Sequence, residues 1–119
     1  MSLFKQLNFT KKITRSIRFF IQRRIRGWDD SDTWNLDGEI AKFTIVRLKR
    51  FKEVNNGFPG HDTTKEGWDE IIDKMIFALD KISKWDDKDN GDSTWDKEDQ
   101  EKINEGLELF GKYFRDLWW

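Results

Sequence analysis

Apolar residues recur at helical spacing in four stretches of this chain, and the breaks between them are rich in glycine, asparagine and aspartate. That pattern restricts the fold to helices packed through apolar stripes. A single proline and few alternating β-branched runs argue against an all-β fold. With 38% of residues charged, the chain folds only if something large is buried. Seven Trp, ten Phe and one Tyr supply that surface.

The first stretch runs from about Thr10 to Arg26. Placed at the helical repeat, Phe9, Ile13, Ile17, Phe20 and Ile21 form one stripe, with Lys11, Arg15, Arg18, Arg23 and Arg26 on the opposite arc. Phe19 falls among the basic residues. Gly27 ends the helix, and the acidic link from Trp28 to Asp32 offers Ser31 or Asp32 as a cap for the second helix.

The second stretch, from about Thr33 to Val54, is apolar on two sides. Leu36, Ile40, Phe43, Phe51 and Val54 lie on one, and Trp34, Ala41, Ile45 and Leu48 on nearly the other. This predicts a central helix packed between neighbours. After a loop at residues 55–61, Thr63 and Glu66 have capping-box spacing for a third helix from about Thr64 to Lys84. Its stripe is Trp68, Ile72, Met75, Leu79 and Ile82, and Phe77 points away from it. An acidic loop at 86–93 leads to a fourth helix from about Thr94 to the chain end, with Ser93 or Thr94 as its cap. Ile103, Leu107, Phe110, Phe114, Leu117 and Trp118 share one face of that helix. A terminus of Trp118 and Trp119 frays unless its rings are buried, on the domain or on a second copy.

Charge divides the chain unevenly. Residues 1–26 hold eight basic side chains and no acid, leaving 14 basic against 23 acidic residues downstream. A basic amphipathic helix suits an anionic partner or an acidic body. Clustered Lys and Arg with Phe19 among them fit phosphate binding and stacking on a base. Adsorption to a membrane surface wants the same kind of helix. A solvated face, or one docked on acids of the third and fourth helices, is the plain alternative.

Several chemistries find no support. Without cysteine there are no disulfides, thiolate metal sites or cysteine nucleophiles, which fits a reducing cytoplasm. The start has no apolar core of a signal peptide, and no window is long and apolar enough to cross a bilayer. The loop Asp86–Asp92 has the look of a calcium loop. Setting Gly91 at its sixth position puts Lys88 third and Lys97 twelfth, where ammonium groups repel a cation. His61, the one histidine, has no serine or metal-ligand partner fixed by spacing and reads as a solvated turn residue. No catalytic residue, metal or cofactor is expected.

Arg47 sits mid-face in the second helix and needs a carboxylate or an anionic ligand. The plain account is a buried ion pair with an acid of the third or fourth helix. The sharper one is a pocket in which Arg47, Arg50 and Trp34 or Trp28 hold a planar anion. Phe19, Phe77 and Trp119 are off-face rings, and Phe77, Trp118 and Trp119 are the candidates for an interface.

The order Trp34-Asn35-Leu36-Asp37, Ala41-Lys42-Phe43, Arg47-Leu48-Lys49-Arg50-Phe51, Gly57-Phe58-Pro59-Gly60, Trp68 with Met75, and Gly106-Leu107-Glu108-Leu109-Phe110 through Leu117-Trp118 resembles a group of small, uncharacterised helical bacteriophage proteins. The resemblance covers about residues 24–119. Such sequences often carry proline where Val46 stands here. It implies a phage origin and adds nothing about catalytic residues.

The expected fold is all-α: a compact antiparallel three-helix body over residues 28–119, preceded by a basic amphipathic arm over 1–27. The expected function is non-enzymatic. A phage accessory protein, cytoplasmic in an infected bacterium, would bind a host or phage protein as an interaction or assembly module, for example as an inhibitor of a host factor, and form a homo-oligomer. The alternative is sequestration of a nucleotide or nucleic acid. The ligand-binding candidates are Arg15, Arg18, Phe19, Arg23, Arg26, Trp28, Trp34, Arg47 and Arg50.

Overall fold

The computed structural model describes residues 3–85 and 95–118, apart from the side chain of Phe4. All regular structure among them is helical: α1 (Leu3–Arg26), a 3₁₀ turn (Asp30–Thr33), α2 (Leu36–Val54), α3 (Lys65–Ser83), α4 (Lys97–Lys112) and a closing 3₁₀ turn (Phe114–Asp116). The chain divides into two compact units, one reaching to Leu36 and the other starting at Asp37.

The first unit is α1 and its 3₁₀ turn. The helix starts at Leu3, earlier than the expected Thr10, because Leu3 and Leu7 extend the Ile17–Ile21 stripe by two turns at helical spacing. It ends at Gly27, whose φ of 83° is a left-handed conformation that glycine adopts without a Cβ penalty. The unit then runs past Gly27 to Leu36, because the 3₁₀ turn is hydrogen-bonded back to α1.

In the second unit α2, α3 and the end of α4 share one core. Ala41, Ile45 and Leu48 of α2 meet Trp68, Ile72, Met75 and Leu79 of α3 and Tyr113. Trp68 lies at the centre, fully buried, with Phe51 at 6.5 Å and Tyr113 at 5.5 Å in edge-on ring contacts. Thr64 caps α3 by accepting from the Gly67 N–H at 3.1 Å, one residue later than the expected Thr63. Asp96 caps α4 by accepting from the Asp99 N–H at 2.8 Å. The expected caps Ser93 and Thr94, and the acidic loop before them, lie outside the described residues.

The α4 helix stops at Lys112 instead of running to the end. Tyr113 turns into the core and the chain tightens into the closing 3₁₀ turn. Lys52–Asp73 at 2.7 Å ties α2 to α3, and Lys74–Glu105 at 2.8 Å ties α3 to α4. The hydrogen bond from each ammonium to its carboxylate raises both lysine pKa values. At this exposure such bridges orient helices more than they stabilise them.

Candidate contact surfaces

Where α1 meets the 3₁₀ turn, the chain builds a hydrogen-bonded elbow. Asp29 caps the turn, accepting from the Ser31 N–H at 2.8 Å and from the Ser31 hydroxyl, while the Asp29 N–H donates to Asp32 at 3.0 Å. Ser31 and Asp32, expected to cap the second helix, lie inside this 3₁₀ turn, which Asp29 caps instead. Its second carboxylate oxygen has no hydrogen bond but stands 3.3 Å from Arg23. Gln22 and Asp30 exchange two hydrogen bonds: Gln22 Nε2 donates to Asp30 Oδ2 at 2.7 Å, and the Asp30 N–H donates to Gln22 Oε1 at 2.8 Å. Arg26 pairs with Asp30 at 2.7 Å and lies 3.7 Å over the Trp28 ring.

The Ser31 hydroxyl, chiefly, holds the Asp29 carboxyl below its ordinary 3.8, helped by the Ser31 N–H and Arg23. The Gln22 amide, then Arg26, does the same for Asp30. A depressed carboxyl supports the fold fully above its ordinary value and loses that support as pH falls through its lowered one. The Ser31 amide resonance should therefore titrate with a midpoint below 3.8, and the shift should vanish in Asp29→Asn. A midpoint at or above 3.8 in the wild-type chain would contradict the elbow.

The sequence-derived ligand set sorts by unit. In the first, Phe19 is half-buried, with its ring edge-on to Trp34 at 5.4 Å. Arg15 stands over Trp34 at 5.9 Å and Arg18 over Phe19 at 5.7 Å. Phe19 thus already has a ring partner. Arg23, Arg26 and Trp28 belong to the elbow. In the second unit Arg47 is exposed, so it has no buried charge to compensate. Its guanidinium lies 3.6 Å over Phe43 and donates to the Phe43 carbonyl at 2.8 Å, both one turn back on α2. The buried ion pair expected of Arg47 is therefore not formed. Arg50 pairs with Glu53 at 3.1 Å in solvent.

Two helix faces remain uncovered. Along α1, Leu7, Phe9, Ile13, Ile17, Phe20, Ile21 and Ile25 are all exposed. On α2, the Ala41–Ile45–Leu48 side is buried, but Leu36, Ile40, Phe43 and Val46 are exposed, with Phe43 at 61%. The central-helix expectation therefore holds for one side of α2 and fails for the other.

The remaining features are less organised. Phe58, Pro59, His61, Asp116 and Trp118 line an open groove of about 510 Å³. His61 is exposed beside Asp62 at 3.7 Å, and Trp118 is 75% exposed. Phe77 is half-buried between Lys81 and Lys102, whose ammonium groups stand 5.6 and 5.7 Å over its ring. Trp119 lies outside the described residues. Among the described residues no group of three or more histidine or carboxylate side chains could hold a metal ion, and no helix is long and apolar enough to cross a membrane.

Among the described residues, fold and surfaces define an all-helical protein with two exposed apolar helix faces, the α1 face edged by cations and the α2 face by charges of both signs. Comparison with protein-family models, curated proteins and solved structures finds no match.

Proposed function

We propose that this chain is a non-enzymatic accessory protein of a bacteriophage, acting in the cytoplasm of an infected host as a protein-interaction or assembly module, such as an inhibitor of a host factor. The phage origin rests on the sequence resemblance. In this reading a compact antiparallel three-helix body serves as a scaffold, and the outer face of α2 makes the contact.

The observation that carries the reading is the exposure of Ile40, Phe43 and Val46 on a helix whose opposite side is fixed in the core. Large apolar side chains grouped on a rigid element favour association. The face is also self-complementary. Two α2 helices crossing antiparallel, with a two-fold axis between Thr44 and Ile45, set Phe43 against the partner's Val46 and Glu39 against the partner's Arg50. The surface pair Arg50–Glu53 exchanges for that contact at little cost.

Sequestration of a nucleotide is less well supported. Its proposed anchors Arg47 and Arg50 have partners on their own helix, and Phe19 and Trp34 engage each other.

Light scattering coupled to chromatography tests the assembly reading. The wild-type chain should run above its 14.4 kDa monomer mass, increasingly so with concentration. Phe43→Asp should return it to monomer with an unchanged helical spectrum, because Phe43 lies outside the core. A wild-type chain that stays monomeric at high concentration would overturn assembly through this face.

A further inference from the structure

The exposed stripe of α1 is a separate surface, and its setting identifies a different partner. Leu3, Leu7, Phe9, Ile13, Ile17, Phe20, Ile21 and Ile25 are between 43% and 80% exposed. At the helical repeat they fill one arc roughly 160° wide along a helix of about 36 Å. Phe9, Ile13, Ile17 and Phe20 line a shallow groove of about 520 Å³ on that arc. Lys11 and Arg18 border one edge of the arc, and Lys5, Lys12 and Arg23 the other. Arg24 projects within the arc near its C-terminal end, where a long side chain can carry its charge out along the apolar surface. No acid occurs before Asp29.

Charge decides among the possible occupants. A second copy meeting this stripe would bring its own cations to the same seam. The other exposed apolar face, on α2, carries Arg47 and Arg50 beside the acid Glu39, too little negative charge to match the cations along both edges of α1. Nucleic acid would neutralise the basic arc but leave the apolar stripe in water. An anionic lipid surface satisfies both at once. The apolar arc sinks to the acyl boundary while cations along both edges meet headgroups.

We infer that α1 is an interfacial helix that binds an anionic lipid surface, lying in its plane and holding the second unit at the membrane. The elbow suits this. Asp29 and Asp30 hold Arg23 and Arg26 in place and return the chain sharply at Gly27, so the lipid-facing stripe ends within a turn of Ile25. Attraction of about fivefold per basic residue near the surface makes binding dependent on lipid charge and on salt.

Flotation of the full chain with vesicles is the test, using phosphatidylcholine with phosphatidylglycerol against phosphatidylcholine alone. Binding to the anionic vesicles should be at least about tenfold stronger and should weaken as salt is raised. The double variant Ile13→Asp, Ile17→Asp should lose binding by about a hundredfold, since charged groups would enter the acyl boundary. Both positions are exposed, so the helical spectrum of the second unit should not change. Phe43→Asp should float like the wild-type chain, which separates this surface from the α2 contact. Equal binding to neutral vesicles would overturn the inference, as would absence of flotation. A salt-resistant oligomer dissolved by the double variant would overturn it in favour of a second copy. Nucleic-acid binding that survives the double variant, with no flotation, would overturn it in favour of phosphate recognition by the basic arc alone.

Discussion

Trp68→Ala should lower the unfolding free energy of the second unit by roughly 3–5 kcal/mol, the range for removing a large aromatic from a packed core. The side chain is fully buried, and a ring of its size removes roughly 150–250 Å² from water. Its position matters as much as its area. Phe51 of α2 and Tyr113 at the end of α4 both set ring edges against it, so truncation opens a void where three segments meet. Against a typical total of about 5–15 kcal/mol, that loss leaves the unit marginal.

Trp68→Phe should cost much less, about 1–2 kcal/mol. The indole N–H is buried with no hydrogen-bond partner, and an unsatisfied buried donor costs about 1–3 kcal/mol. Phenylalanine removes that donor while keeping an aromatic ring in place, which offsets part of the lost area. Urea titration followed by far-ultraviolet circular dichroism checks both, because the other tryptophans then do not confuse the signal. An alanine variant within about 1 kcal/mol of wild type would show that the core closes over the site and that Trp68 is not its centre.

Legibility in the sequence depends on which forces leave a periodic trace. The α3 stripe of Trp68, Ile72, Met75 and Leu79 is legible because those residues repeat at the helical period and all four are buried. The second helix is only half legible. Its two apolar sides give the same periodic signal, and periodicity cannot say which side finds a neighbour. The side with Ala41 goes to the core, and the side with Phe43 stays in water. Arg47 departs from expectation for the same reason. On a buried face a lone guanidinium needs a carboxylate, but on an exposed one it can stack on the ring four residues back, a spacing present in the sequence itself.

The candidate surfaces show the same division. The basic arc and apolar stripe of α1 are plain from composition and spacing. The elbow is not, because the paired hydrogen bonds of Gln22 and Asp30 depend on the path of the turn and not on any pattern of residue types. Small residues are also silent. Gly106 and Ala78 add almost nothing to a hydrophobic stripe, yet both are buried at the α3–α4 contact.

That silence makes Gly106 the sharper test of the packing. A Cβ placed there would run into the Lys74 carbonyl oxygen of α3 and come within 2.5 Å of the Ala78 Cβ. The obstacle is backbone and a buried methyl, so no flexible side chain can swing aside. In an open helix, replacing glycine by alanine gains about 0.5–1 kcal/mol. At Gly106 the overlap should reverse that sign. Gly106→Ala should destabilise by about 1–2 kcal/mol and Gly106→Val by roughly 3 kcal/mol or more, since overpacking against fixed backbone forces the helices apart. Gly111, five residues on in the same helix, is the control. A Cβ there meets nothing within 4 Å, so Gly111→Ala should stabilise by up to about 0.5–1 kcal/mol. Denaturant midpoints for the three variants read the contact directly. If Gly106→Ala and Gly111→Ala shift stability in the same direction, then α3 and α4 do not approach closely enough to exclude a methyl group, and Lys74–Glu105 is left as a surface pair with no tight seam beneath it.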